Sequence, residues 1–253
     1  MKEQIETIPV NDAFDAGDEC PFCYLERMAE QRTIRYVAGP GASYMEPDVR
    51  GSTDKYGFCI PHSKKLFDYG NALGAALMLQ THFAGILEEF HAEAEAYAGQ
   101  DPTPHGLFRK KPEHTVEEDY SRQVLERVDR CFICDRIAYH MDRYYATFFA
   151  LLKEPEFRAK VENCKGFCLK HFGKLLKLSV EKVPKDQRKW FHDNVFRIEE
   201  ENLLRVKEDL DWFIAKYDYR NAKADWKNSR DALSRTMQKL EGFYPADPPY
   251  KKE

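Results

Sequence analysis

The strongest constraint in this sequence is a pair of cysteine motifs that occurs twice in the same order. A Cys-x-x-Cys motif at Cys20–Cys23 is followed by Gly-Phe-Cys-x-x-His ending in Cys59–His62. The same two motifs return at Cys131–Cys134 and Cys168–His171. The interval from the first to the third cysteine is 39 residues in the first copy and 37 in the second. So close a spacing indicates that the chain contains two copies of one unit.

Shared residues between the motifs support an internal duplication. "MEPDVR" at Met45–Arg50 and "KEPEFR" at Lys153–Arg158 both precede the third cysteine of their copy by a similar interval. Several motifs in one order predict two similar units, which we expect to be related by a pseudo-twofold axis.

The hydrophobic pattern predicts an all-α fold. Apolar residues recur at intervals of three and four, and period-2 alternation of β-branched residues is nearly absent. We expect a helix behind each Cys-x-x-Cys, stopped by "AGPGAS" at Ala38–Ser43 in the first copy and by Glu154-Pro155 in the second. Ala72–Tyr97 and Asp186–Tyr217 are predicted as long amphipathic helices, and Ala222–Leu240 as a C-terminal helix without a counterpart.

The predicted organisation has four segments. Residues 1–98 form the first helical repeat with a metal site, 99–114 a linker rich in proline and glycine, and 115–220 the second repeat with its own site. Residues 221–253 hold the C-terminal helix and an irregular tail. We expect the two halves to pack as one domain.

Three cysteines and one histidine in each copy supply four ligands, the closed tetrahedral arrangement of structural zinc. A Cys-x-x-Cys turn points two sulfurs at one centre, and a Cys and His three apart on a helical turn can approach it from the other side. Gly57 and Gly166 would let the backbone turn sharply before the third ligand. The predicted ligands are Cys20, Cys23, Cys59 and His62 for the first site, and Cys131, Cys134, Cys168 and His171 for the second.

Other interpretations of these cysteines stay open at this point. The same donors can hold iron-sulfur clusters, in which histidine sometimes replaces cysteine. Buried thiols or a thiol-disulfide redox pair would explain the Cys-x-x-Cys motif. They would not explain why a histidine follows the third cysteine by three residues in both copies. Cys164 is the one cysteine outside these motifs, and its counterpart in the first copy is Lys55, so a shared site does not need it, although it could be a swapped ligand or a reactive thiol.

Composition restricts the partners. The net charge is -4 and the charges are mixed along the chain, which argues against nucleic-acid binding. The longest apolar stretch, near Leu73–Gln80, is too short to span a membrane, and the N-terminus has no apolar signal segment. We therefore expect a cytoplasmic protein without membrane insertion, where seven cysteines favour metal or redox chemistry.

A weaker pattern lies on the two long helices. His82 precedes Glu89 by seven residues, and His192 precedes Glu199 by seven, so each pair shares a helix face. These four side chains are candidates for a groove, where they could form a His/Glu metal centre. The alternative is that they are solvated or core-edge residues of charged helices.

Four segments of the chain resemble an uncharacterised family of bacterial cytosolic proteins. They are "TIPVNDAF", "ECPFCYLE", "YGFCIPH" and the second "GFCLKH", and the resemblance spans most of the chain. It implies a bacterial origin and brings no established activity with it.

The function predicted from these patterns is metal binding with a binding or scaffold role. Two zinc ions would be structural, and an unidentified small ligand or protein partner would be received between the long helices. The rival hypothesis is an iron-sulfur or thiol-based redox protein or enzyme that uses the same ligands. Whether the chain is an enzyme is left open.

Overall fold

The computed structural model describes residues 5–41, 43–98 and 116–242. Within these ranges the chain forms eleven α-helices and no β-strand, which confirms the all-α prediction. No helix of the described ranges is long and apolar enough to cross a membrane. The helices are α1 Thr7–Asp15, α2 Pro21–Ala38, α3 Pro47–Tyr56, α4 Ile60–Tyr69, α5 Ala72–Ala98, α6 Val116–Val128, α7 Phe132–Leu151, α8 Pro155–Glu162, α9 Leu169–Lys182, α10 Arg188–Ala215 and α11 Ala232–Glu241.

The same succession of helices occurs in both halves. A long helix begins at each Cys-x-x-Cys (α2, α7), and a short helix follows (α3, α8). The third helix begins at Cys-x-x-His (α4, α9), and the longest helix comes last (α5, α10). The short helices α3 and α8 both start at a proline, whose fixed φ and missing N–H suit the first helical position. The repeated order agrees with the duplication found in the sequence.

The chain folds into two compact units that differ from the predicted sequence repeats. The terminal unit contains the described residues up to Ala29 and those from Ala138 onward, whereas the central unit covers Glu30–Ile137. Helices α2 and α7 each begin in one unit and end in the other. Each unit therefore combines residues from both sequence copies. The predicted linker, 99–114, lies outside the described residues.

An aromatic cluster forms the core of the terminal unit. Phe148 of α7 has no exposed surface, and its ring lies 5.7 Å from that of Phe14 and 5.4 Å from that of Phe22. Phe157 of α8 closes the cluster at 5.1 Å from Phe14. Aromatic side chains bury large areas and gain from such stacked and edge-on contacts, so this cluster holds α1, α2, α7 and α8 together.

The central unit has a core of aliphatic side chains. Ile34, Val37 and Met78 are fully buried, and Val49 and Leu66 are almost so. Helix α3 packs on the first part of α5, where Met78 lies. The later apolar side chains of α5 are largely exposed within the described structure, including Phe83 at 61% and Phe90 at 54%.

The sequence prediction places the start of the C-terminal helix ten residues too early. Ala222–Asp231 forms turns, and α11 begins only at Ala232. Lys216 explains the turns, since its ammonium donates to the carbonyls of Asn221 at 2.6 Å and Ala224 at 2.5 Å. Because these carbonyls converge on the Lys216 ammonium, they are not directed along a helix axis. The predicted tail beyond Gly242 lies outside the described residues.

Truncating the aromatic core should destabilise the fold strongly. We expect Phe148→Ala to lower the free energy of unfolding by about 3–5 kcal/mol, because a buried aromatic ring and its contacts are lost. The matched control is Phe67→Ala in α4, whose side chain is 81% exposed and whose loss should change stability by less than about 0.5 kcal/mol. Urea denaturation of both variants measures the difference, and equal effects would contradict the placement of Phe148.

Candidate metal centres

The eight predicted ligands gather into two four-residue clusters, but the pairing differs from the prediction. In each cluster the ligand atoms all lie within 4.8 Å of one another. Each Cys-x-x-Cys meets the Cys-x-x-His of the other sequence copy, so the prediction of one complete site within each half was wrong. The terminal site consists of Cys20, Cys23, Cys168 and His171, and the central site of Cys59, His62, Cys131 and Cys134.

Helix lengths explain why the motifs of one copy do not meet. Helix α2 has 18 residues and is about 27 Å long, whereas α3, with 10 residues, is only about 15 Å long. In the second copy, α7 and α8 have lengths of about 30 Å and 12 Å. The short helix in each copy is thus too short to retrace the long one.

Polar contacts fix the crossed pairing in each unit. In the central unit, the backbone N–H of Phe132 donates to the Gly57 carbonyl at 3.0 Å, which ties one motif to the other. In the terminal unit, the buried ammonium of Lys239 donates to the Glu19 carbonyl at 2.7 Å and also to the Lys165 carbonyl. Lys239 thereby joins the two ligand segments from α11.

The terminal site is buried throughout. The His171 Nδ1 lies 3.4 Å from the sulfur of Cys20, 3.4 Å from that of Cys23 and 3.2 Å from that of Cys168. The sulfurs of Cys23 and Cys168 are 3.6 Å apart. None of the four side chains is more than 2% exposed, so this site is closed to solvent.

The central site has similar spacing but reaches the surface. The His62 Nδ1 lies 3.1 Å from the sulfur of Cys59, 3.3 Å from that of Cys131 and 3.4 Å from that of Cys134. The sulfurs of Cys59 and Cys134 are 3.8 Å apart. Cys131 and His62 are buried, whereas Cys59 is partly exposed and Cys134 is exposed.

These spacings fit one tetrahedral ion. Zinc bonds of about 2.3 Å to sulfur and 2.0–2.1 Å to nitrogen imply tetrahedron edges of about 3.8 Å between sulfurs and about 3.5 Å between sulfur and nitrogen. The S···S distances of 3.6 and 3.8 Å are close to that edge and far above the 2.05 Å or so of a disulfide. Both clusters can therefore hold a metal ion.

The electrostatics of the terminal cluster would suit a cation. Burial, and then the neighbouring Cys168 thiol, raises the pKa of Cys20 well above its usual value. Burial alone would lower the pKa of His171, but the thiols of Cys168 and Cys23 and the Glu26 carboxylate raise it to about 11. Three sulfurs facing one nitrogen cannot all become thiolates without positive charge nearby, and a divalent ion would supply that charge.

Two glutamates that the sequence analysis missed orient the histidines. The Nε2 of His62 lies 2.9 Å from a Glu30 oxygen, and that of His171 lies 3.4 Å from a Glu26 oxygen. In this arrangement the carboxylate accepts the Nε2 proton and leaves Nδ1 directed at the sulfurs, as is common for metal-binding histidines. A lysine pairs with each carboxylate, Lys65 with Glu30 at 2.5 Å and Lys170 with Glu26 at 2.6 Å.

A sequence signal for these glutamates exists. Glu26 comes three residues after Cys23, and Glu30 follows one helical turn later, so both lie on one face of α2. Their counterparts after Cys134 are Ile137 and Met141, which cannot accept hydrogen bonds in this way. The duplication is therefore asymmetric, because α2 supplies both carboxylates.

Both predicted glycine turns are confirmed. Gly57 and Gly166 have φ of +56° and +79°, a region that other L-residues rarely adopt. Space is also missing for a side chain, since a Cβ on Gly57 would lie 2.6 Å from the His82 ring and one on Gly166 would lie 3.0 Å from a Glu199 oxygen. Each turn allows the chain to enter the helix whose first turn carries the ligands.

The four groove candidates have separate contacts. His82 Nδ1 donates to the Asp54 carbonyl at 2.6 Å, and Glu89 pairs with Arg127. His192 lies 3.4 Å from the Ser179 hydroxyl, and Glu199 accepts the Phe167 N–H at 2.8 Å. No group of three or more potential metal ligands in the described ranges includes any of the four.

Glu199 nevertheless has a position close to the terminal site. Its Oε2 accepts a hydrogen bond from the backbone N–H of Phe167, the residue before Cys168, while its Oε1 is buried without a hydrogen-bond partner. Burial raises the pKa of this carboxyl, although the Phe167 N–H and Lys239 act in the opposite direction. Glu199 therefore supports the glycine turn at Gly166.

Cys164 belongs to neither cluster. It is only partly exposed, and burial raises its pKa to about 11. A swapped ligand role is thus not observed for this thiol.

A groove of about 390 Å³ lies between α9 and α10 of the terminal unit. It is mostly apolar, with charged groups among its lining residues: Leu169, Phe172, Phe196, Glu199, Glu200, Leu203, Leu204 and Lys207. The expectation that a ligand is received between the long helices, α5 and α10, stays a prediction.

Comparison with known families agrees with the extent of the resemblance noted in the sequence. DUF6062, described as a family of unknown function, matches residues 1–247. The chain belongs to this family. No curated protein and no solved structure matches the chain. The family match covers all eight cysteine and histidine ligand candidates.

Removing a histidine-orienting carboxylate should weaken metal binding at one site only. We expect Glu30→Gln to reduce the metal affinity of the central site by about 10–100-fold, and Glu26→Gln to do so at the terminal site, because the histidine exchanges a charged carboxylate acceptor for a neutral amide. Competition with a chromophoric chelator measures both affinities. Glu200→Gln, an exposed change on α10, is the control and should leave both unchanged. An equal loss at both sites in either variant would contradict these contacts.

Gly166 should not tolerate a side chain. We expect Gly166→Ala to lower the free energy of unfolding by at least about 1–2 kcal/mol, because of its positive φ and the contact with Glu199. Gly173→Ala in α9 is the matched control, since nothing lies within 4 Å of its added Cβ. Alanine there should raise stability by about 0.5–1 kcal/mol through helix propensity. Chemical denaturation checks both changes, and a neutral Gly166→Ala would refute the turn.

Proposed function

We propose that this protein binds two zinc ions as structural cofactors and acts as a helical binding or scaffold protein. The observation that carries the proposal is the convergence of three sulfurs and one histidine nitrogen at tetrahedral spacing in both units. The carboxylate on the far side of each histidine adds support, since it is the usual partner of a metal-binding imidazole.

Four protein donors leave no open coordination position, which is the arrangement of structural zinc. In the terminal unit, Cys20, Cys23, Cys168 and His171 would hold one ion, and in the central unit, Cys59, His62, Cys131 and Cys134 would hold the other. Bound zinc neutralises thiolate charge and contributes about 10–16 kcal/mol of apparent binding free energy to folding. These sites would therefore dominate the stability of both units.

A structural role of the metal ions is supported by the sequence distance that each site closes. Contacts of the terminal site join residues up to 151 positions apart, and those of the central site join residues up to 75 apart. Cross-links that close long loops remove much entropy from the unfolded chain. The metal ions would thus fix segments that the linear sequence keeps far apart.

The alternative function is that of an iron-sulfur or thiol-based redox protein. A multi-iron cluster attaches its cysteine ligands to different irons and so spreads them around a larger core. Here all four ligand atoms lie within 4.8 Å of one another, which favours a single ion at each site.

Metal analysis of the purified chain tests the proposal. We expect about two zinc ions per chain and no visible absorption, because zinc has a filled d shell. Iron with acid-labile sulfide and a brown colour would instead establish the alternative. A metal-free folded chain would contradict both zinc and iron-sulfur clusters and would leave the thiol-based redox protein.

Chelation should destabilise the protein reversibly. We expect a strong chelator to lower the midpoint of thermal unfolding, and zinc to restore it, because metal binding is coupled to folding. Magnesium is the control cation and should restore nothing, since it prefers oxygen ligands. An unchanged midpoint after complete zinc removal would show that the ions are not structural.

A further inference from the structure

The two sites differ in one property that their ligand sets do not predict, which is access to solvent. All four residues of the terminal site are buried, whereas the central site presents an exposed Cys134 and a partly exposed Cys59. The two reachable sulfurs are also direct neighbours, 3.8 Å apart. Reactivity of a cysteine with an oxidant follows its exposure and its thiolate character, and metal-bound sulfur has thiolate character.

We propose that the central site is a peroxide-sensitive modification site, at which Cys134 and Cys59 form a disulfide and zinc is released. This inference rests on the proposed function, because it requires zinc at both sites. The terminal site is the buried counterpart with the same donors, and it keeps its zinc. One chain then carries a labile metal site and a permanent one.

The oxidation balances with hydrogen peroxide as the oxidant. The Cys134 thiolate attacks one peroxide oxygen, so an S–O bond forms, the O–O bond breaks, and the departing hydroxide takes a proton to become water. The Cys59 thiolate then attacks the Cys134 sulfenic sulfur, so the S–S bond forms and the S–O bond breaks. The departing hydroxide takes a proton from solvent and becomes the second water. Two thiolates lose two electrons in total, one peroxide gains them, and zinc leaves as the divalent ion.

Loss of these two sulfurs leaves the central site without half of its ligands. Cys131 and His62 remain, and both are buried. A site with two protein ligands cannot retain structural zinc as four ligands do. The expected consequence is a local change confined to the central unit, where Cys59 directly precedes α4 and Cys134 lies in the first turn of α7.

The test uses the full zinc-loaded chain, hydrogen peroxide and a chromophoric zinc chelator, followed by differential alkylation and peptide mapping. We expect about one of the two zinc ions to be released, roughly tenfold or more faster than the second, with a Cys59–Cys134 cross-linked peptide. Cys20, Cys23 and Cys168 should stay alkylatable. A thiol reductant with added zinc should restore the starting state.

Other outcomes would overturn the inference. These are release of both ions at one rate, earlier loss of the terminal ion, or one-ion release without the Cys59–Cys134 peptide. The zinc content before peroxide is added separates the two proposals, because a chain without zinc would refute the proposed function itself. A chain with two ions that are both resistant to peroxide would refute only the modification site.

Two cysteine variants provide a matched comparison. Cys59→Ser removes the proposed resolving thiol, so the Cys59–Cys134 peptide should be absent and labelling of the Cys134 sulfenic acid by a dimedone probe should rise. Cys164→Ser removes a thiol that belongs to neither cluster and should leave the rate of zinc release and the cross-linked peptide unchanged. If Cys59→Ser does not fold, the peptide map of the unaltered chain still decides the question.

Discussion

Each candidate metal centre takes two ligands from the first copy of the sequence motif and two from the second, and the rest of the structure depends on this exchange. The four donors of one copy do not meet in this structure, so each tetrahedral shell needs both copies to fold together. The exchange also explains why the compact units differ from the repeats, since each unit forms around a site with ligands from both copies. The duplicated sequence thus produces two mixed units.

Helix α2 is the element in which the duplication has diverged most clearly. It carries Glu26, which faces His171 in the terminal unit, and Glu30, which faces His62 in the central unit. The corresponding positions of α7 are apolar, and Met141 there is buried. One helix has therefore taken over histidine orientation, while the other contributes Tyr145 and Phe148 to the aromatic core. Both sites keep the same donors but differ strongly in their exposure.

The sequence predicts the components of this structure better than their combination. All-α content, the helices behind both Cys-x-x-Cys motifs and the two glycine turns follow from periodicity and local backbone chemistry, and the structure confirms them. The ligand pairing does not follow, because motif spacing along the chain carries no information about which copies meet. Helix α11 begins later than periodicity predicts because Lys216 collects the preceding carbonyls, a tertiary contact that a local pattern cannot reveal.

The most direct test of the crossed pairing is the zinc content of two double variants. In Cys20→Ala/Cys168→Ala both substitutions fall in the terminal site, so the account predicts that one zinc ion per chain remains, at the central site. In Cys20→Ala/Cys59→Ala each site loses one ligand, and zinc retention should be impaired at both. Pairing within each copy predicts the reverse pattern. Elemental analysis that found one retained zinc in Cys20→Ala/Cys59→Ala and none in Cys20→Ala/Cys168→Ala would contradict the account.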